Sequence, residues 1–178
     1  MEVKEKRRGL VQVYTGNGKG KTTAALGQVL RAVGKGHRAI IIQFMKGQIA
    51  YGELTSVGHL PGAEIEQYGR PDFVNKKDPE QVDIDLARKG LERAKEVVMS
   101  GEYDMVVLDE MNITLDYRLV REDEVLELIG NRPEHVELIL TGRYAPPSII
   151  NIADLVTYMC EVKHPYMAGV EAREGIEF

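Results

Sequence analysis

Residues 10–33 read LVQVYTGNGKGKTTAALGQVLRAV, and three different patterns follow one another within them. Leu10 to Tyr14 is short, β-branched and aromatic, the signature of a buried strand. Gly16, Gly18 and Gly20 then punctuate a turn. From Lys21 to Val33, Ala25, Leu26, Val29, Leu30 and Val33 recur at helical spacing until Gly34 and Gly36 end the run. Strand, glycine loop and helix in that order make a phosphate cradle. The glycines let backbone N–H groups curl around oxyanions without Cβ obstruction, and the helix amino terminus adds positive potential. The loop Thr15-Gly16-Asn17-Gly18-Lys19-Gly20-Lys21-Thr22 stands where a Walker A sequence belongs, and Gly20-Lys21-Thr22 matches its G-K-[ST] end. Lys21 brings a charge to the phosphates and Thr22 a hydroxyl for Mg²⁺, while Thr15 stands where the general pattern has glycine.

Working outward, Arg38 to Phe44 (RAIIIQF) is the next apolar strand, which predicts a right-handed crossover into a parallel sheet. Met45 to Lys77 carries glycine and proline without sustained periodicity, apart from a short strand over Glu64 to Tyr68, and reads as a long functional loop region. Asp78, Pro79 and Gln81 form a helix start, with Asp78 as cap, Pro79 in the first turn and Gln81 completing a capping box. Ile84, Ala87, Leu91, Ala94 and Val98 supply that helix with its apolar stripe up to Gly101. Tyr103 to Leu108 reads as a central strand, Glu122 to Ile129 as a helix, Val136 to Leu140 as a strand, Pro147 to Ala153 as a short helix and Leu155 to Val162 as a strand-like run. Alternation of this kind predicts an α/β fold, a mostly parallel RecA-like P-loop sheet with helices on both faces, whose ligands gather beyond the carboxyl ends of the strands.

A chain of 178 residues with 43% hydrophobic content is expected to form a single nucleotide-binding domain, 1–178, with 1–8 as a flexible basic tail. No aliphatic run exceeds four residues, far below the roughly 18 that a membrane span needs. The charged start offers no secretory signal, and the single cysteine, Cys160, excludes an internal disulfide framework, so a cytoplasmic location is expected. Net charge is −5, and positive charges are scattered, which argues against nucleic acid as a partner.

A second motif is Val106-Val107-Leu108-Asp109-Glu110, an apolar strand ending in two carboxylates, the form of a Walker B element that holds a metal opposite the loop. Hydroxyl, carboxylate and phosphate are hard oxygen ligands, which favours Mg²⁺. Arg143, in Thr141-Gly142-Arg143, is placed on the same rim, to reach a phosphate or to form a surface salt bridge. Tyr68 and Phe73 are candidates to pack on a flat ligand or to cover core. His164, before Pro165, reads as structural, and Cys160 as a core residue. These motifs predict a nucleoside triphosphate site. They are shared by hydrolases, kinases and switches, so a small RecA-like ATPase or phosphotransferase and a nucleotide-dependent binding module stay open on this evidence.

Beyond the general motifs, the chain resembles the P-loop corrinoid adenosyltransferases. The resemblance rests on Tyr14 to Ala25 (YTGNGKGKTTAA), Arg31 to Gly34, Gln43 to Gly47 (QFMKG) with Gly52-Glu53, Met105 to Glu110 (MVVLDE), Thr141 to Arg143, and an ending that runs from Val162-Lys163-His164 through Gly169 and Ala172 to Gly175-Ile176-Glu177-Phe178. The Thr15 departure is similar to the family's own loop. The resemblance implies an SN2-like transfer in which Co(I) of a corrinoid attacks the 5′ carbon of ATP and triphosphate leaves. It implies that Gly16 to Gly20 and Lys21 hold phosphates with help from Lys19 and Thr23, and that Thr22 and Glu110 hold Mg²⁺ with Asp109 in support. Met45, Lys46, Tyr68 and Phe73 are the implied corrinoid contacts; relatives carry tryptophan in the loop near Tyr68 to Phe73, and this chain has no tryptophan. A homodimer and an electron-donating reductase are the implied partners.

Overall fold

The computed structural model describes residues 8–47 and 51–177. The expected tail therefore lies, save for Arg8, outside the described residues. β1 (Val11–Thr15), β2 (Ala39–Phe44), β3 (Ala63–Tyr68), β4 (Met105–Asp109), β5 (Glu137–Thr141) and β6 (Leu155–Tyr158) form one sheet in the order β3-β2-β4-β5-β1-β6. Every described pairing is parallel. Helices cover both faces, as a RecA-like P-loop fold requires. Side chains alternate across the sheet: Ile40, Ile42, Val106 and Leu108 join one core layer with α3 (Gln81–Ser100) and α5 (Glu122–Asn131), and Ala39, Ile41, Met105 and Val107 join the other with α1 (Lys21–Val33). No helix among the described residues is long and apolar enough to cross a membrane.

The same alternation builds the site. Gln43 follows Ala39 and Ile41 on the α1 face, Asp109 follows Met105 and Val107, and Thr141 follows Ile139. Gln43 and Asp109 are register partners across β2 and β4. Three polar side chains thus meet, fully buried, at the carboxyl ends of central strands, beneath the first turn of α1.

Three expectations are corrected and one element is added. The region from Met45 to Lys77 contains α2 (Gly52–Gly58) as well as β3. This helix has glycine at both ends and buries only Val57, so it carries no periodic signal. A further helix, α4 (Met111–Asp116), follows β4 with only Glu110 between, and it hides its period by burying Asn112 and Thr114 beside Met111 and Leu115. The α3 cap is Glu80, not Asp78: Glu80 and Asp83 form the reciprocal capping box, and Asp83 is pinned by Arg70 at 2.8 Å. Cys160 is exposed, because β6 is an edge strand whose four residues are all exposed and it ends at Tyr158. His164 is structural as expected, its Nδ1 accepting from the Tyr166 amide at 3.2 Å to cap the 3₁₀ turn Pro165–Ala168.

Candidate functional site

The glycine loop joins β1 to α1 by running against the segment that follows β6. Gly16 takes φ of 95°, and a Cβ there would stand 2.4 Å from the Met159 carbonyl oxygen, so only glycine fits. The Gly18 amide donates to that carbonyl at 2.8 Å. Thr15, at the end of β1, is buried and accepts the Ala145 amide on its hydroxyl at 3.2 Å, which ties the loop to the turn after β5. Thr15 is the last strand residue and takes no left-handed conformation, so glycine is not needed there.

Lys21, at the start of α1, is buried with its ammonium donating to the carbonyls of Gly16 at 2.9 Å and Gly18 at 2.7 Å. Burial lowers its proton affinity, and the charges of Glu110 and Asp109 oppose the change. Thr22 donates from Oγ1 to Asp109 Oδ1 at 2.8 Å. The Asp109 carboxylate is fully buried and takes three more donors: Thr141 Oγ1 at 2.7 Å, Gln43 Nε2 at 3.1 Å and Lys46 Nζ at 2.8 Å. No sequence motif marks Gln43 and Thr141 as site residues; the parallel register of the strands brings them to Asp109.

Glu110 takes φ of 62°, a left-handed conformation that is uncommon for a non-glycine residue. Its amide is fixed by Thr141 Oγ1 at 3.0 Å and its carbonyl by Thr114 Oγ1 at 2.8 Å. The turn aims its carboxylate into a cleft of about 620 Å³ that Lys21, Thr22, Lys46 and Glu53 also line. Burial, then the neighbouring Asp109 charge, raises the proton affinity of Glu110, partly offset by Lys46, Lys21 and Arg143. Arg143 is exposed on the rim and makes no ion pair among the described residues, so the salt-bridge alternative is not realised. Lys19 and Thr23 are exposed at the cleft wall, and Asn17 is exposed on the loop.

The family model described as ATP:corrinoid adenosyltransferase BtuR/CobO/CobP matches residues 7–178. The chain belongs to this family. A corrinoid adenosyltransferase of Sinorhizobium sp is 36% identical over 180 residues, covering 100% of this chain and 84% of the relative. One of Pseudomonas aeruginosa is 37% identical over 171 residues, 96% of this chain and 84% of the relative. One of Escherichia coli strain K12 is 36% identical over 171 residues, 96% and 86%. As a corrinoid adenosyltransferase, the enzyme carries an adenosyl group from ATP to the cobalt of a corrinoid. The open alternatives of ATPase, phosphotransferase and binding module give way to this activity.

The four residues expected at the corrinoid fall in three places. Lys46 lines the cleft, half-buried against Asp109, and its ammonium lies 5.4 Å from the centroid of the Tyr51 ring. Burial lowers its proton affinity, but the attraction and hydrogen bond of Asp109, joined by the charges of Glu110 and Glu53, make the net shift upward. Met45, with φ of 55°, packs on the core just before it. Tyr68 is half-buried, its hydroxyl donating to Glu66 at 2.7 Å and its proton affinity pushed up to about 12 by burial and that carboxylate. Phe73 is 103% exposed on the loop after β3. That loop is fastened by Arg70 to Asp83 and by Lys76 to Asp116, so Phe73 projects from a segment held at both sides.

Proposed function

We propose that the cleft holds ATP with its triphosphate in the glycine loop, and that the loop serves a leaving group. The bond that forms is Co–C5′, and the one that breaks is C5′–O5′, its electron pair departing with the triphosphate. Co(I) in the corrinoid substrate is itself a strong nucleophile, so the protein supplies position, exclusion of water and compensation of departing negative charge. Lys21 and the loop amides that stay free, with the Gly18 amide held by the Met159 carbonyl instead, bind the phosphates, with Lys19, Thr23 and Arg143 at the periphery. The observation that carries this reading is the convergence of Lys21, Thr22 and Glu110 on one cleft.

The oxygen donors fit Mg²⁺. The Glu110 carboxylate accepts no hydrogen bond among the described residues and faces the cleft beside the Thr22 hydroxyl, while Asp109 is saturated by four donors. Thr22 and Glu110 would hold the ion directly and Asp109 would orient Thr22 beneath it. When bound, it neutralises phosphate charge. Phe73 and Tyr68, with Met45 and Lys46 on the neighbouring strand end, are assigned to the corrinoid side. A second copy of the chain completes a homodimer, a reductase donates the electron that converts the Co(II) corrinoid to Co(I), and the enzyme works in the cytoplasm as one domain.

Product analysis tests the reading. Incubated without oxygen with ATP, Mg²⁺ and chemically reduced cobalamin, the enzyme gives triphosphate and a light-sensitive alkyl-cobalt spectrum; ADP with no spectral change overturns the assignment of the loop to a leaving triphosphate.

A further inference from the structure

The carboxylate of Glu177, at the end of the described chain, receives four donors at the lip of the glycine loop. Oε1 accepts from Lys19 Nζ at 2.7 Å and Arg173 Nη2 at 3.1 Å. Oε2 accepts from the Arg173 amide at 2.8 Å and Arg173 Nε at 3.2 Å. The Lys19 ammonium also reaches the Ile176 carbonyl at 3.1 Å. These contacts lay residues Gly175 to Glu177 across the wall of the ATP cleft. Glu177 and Lys19 also line a second cavity of about 380 Å³, bounded by Arg173, Lys163 and the exposed Tyr166, so the carboxylate stands on the partition between the two.

Among the described residues of this strap, no apolar side chain is buried. Ile176 is 59% exposed, and the side chains of Lys19 and Arg173 are 46% and 56% exposed. Ion pairs this open to water are weak and yield readily to a competing anion of higher charge. Two cations and a backbone amide around one anion form a cradle of the kind that binds phosphate oxygens.

We propose that Lys19, the Arg173 guanidinium and the Arg173 amide form an anion subsite, filled by the Glu177 carboxylate in the empty enzyme and by the polyphosphate end of the nucleotide, or by inorganic triphosphate, in the loaded one. The proposal rests on the assignment of the glycine loop to phosphate. Glu177 stays ionised over the working pH range, since Arg173 and then Lys19 hold its proton affinity down to about 2. Its return to Lys19 opposes the retention of triphosphate, the product that the reaction must release.

The test is calorimetric binding of inorganic triphosphate to the full chain with Mg²⁺ present and no corrinoid. Glu177→Gln tightens binding by about 1.5- to fivefold, a gain that shrinks at high salt. Arg173→Ala weakens binding in the Glu177→Gln background, where the tail anion no longer competes. Glu177→Gln that leaves binding unchanged or weakens it overturns the proposal, because the carboxylate then acts as a fixed latch. Lys21→Ala separates the two levels. If it abolishes triphosphate binding while Glu177→Gln does nothing, the cradle stands and the subsite falls; if it too does nothing, the phosphate assignment itself fails.

Discussion

The Lys46 ammonium lies 2.8 Å from Oδ2 of Asp109, a carboxylate with no exposed surface. This pair joins the turn after β2 to the end of β4 and sets the charge balance at the floor of the cleft. Thr22, Thr141 and Gln43 share the same carboxylate, so Asp109 binds the glycine loop's helix to three strand ends at once.

Lys46→Ala leaves that buried carboxylate with three neutral donors and no counter-charge. Loss of one partner of a largely buried ion pair costs about 2–3 kcal/mol. The expected fall in melting temperature is about 5–10 °C for a chain of this length. Mg²⁺ and ATP together should recover more of the melting temperature in the variant than they add to the wild type. Equal melting curves without ligand would show that Lys46 does not compensate Asp109.

Gly47→Ala tests how Lys46 is aimed. A Cβ at Gly47 would stand 2.0 Å from the Gly69 carbonyl oxygen, and one at Gly69 would stand 2.4 Å from the Lys46 amide nitrogen. The two backbones approach too closely for any side chain, so the variant must move the turn and Lys46 with it. Melting temperature and transfer rate should both fall, and thermal denaturation alongside a transfer assay reads both. A change in stability alone would separate this turn from the site.

Glu110 predicts a pH dependence. Its proton affinity is raised in the folded chain, by burial first and by Asp109 second. Above the ordinary carboxyl value of 4.5, and up to the raised one, the folded chain keeps a proton that the unfolded chain has released. Stability without ligand is therefore greatest below that window and declines as pH rises through it. Glu110→Gln should flatten this slope and raise the melting temperature near neutral pH by about 2–4 °C, while weakening Mg²⁺-dependent nucleotide binding. Melting curves over a pH series decide; an unchanged slope would contradict the assignment.

Phe73→Ala should leave the melting temperature unchanged, since the ring touches solvent only. It should spare transfer to chemically reduced Co(I) and weaken the reaction that starts from Co(II), where the family resemblance implies that an aromatic side chain activates the corrinoid by displacing the cobalt's lower axial ligand. Equal loss in both assays would remove Phe73 from activation of the corrinoid.

Most of this architecture was legible where local chemistry and periodicity agree. Lys21 to Val33 reads as a helix from five apolar residues and is one over that span. Asp109 and Glu110 announce a strand end by their charge. What stayed hidden depends on tertiary contacts. α2 has too little buried surface to impose a period, α4 buries polar residues, and Glu80 caps α3 because Arg70 fixes its partner Asp83. Cys160 was misplaced because an apolar run does not distinguish a central strand from an edge strand, and β6 is an edge. Within the site, the loop lysine, the hydroxyl beside it and the acidic pair could be named from motifs. Gln43 and Thr141 emerge only when parallel register brings them against Asp109.

The proposed role of the glycine loop and Lys21 is to stabilise a departing triphosphate. Its most direct test is single-turnover transfer from ATP to chemically reduced cobalamin, with triphosphate counted against alkyl-cobalt product in wild type and Lys21→Ala. The wild type should give one triphosphate per adenosylated corrinoid, and the variant should be slower by about 10²-fold or more, the scale for removing one preorganised charge-stabilising group. Transfer by Lys21→Ala at the wild-type rate, or ADP in place of triphosphate, would contradict it.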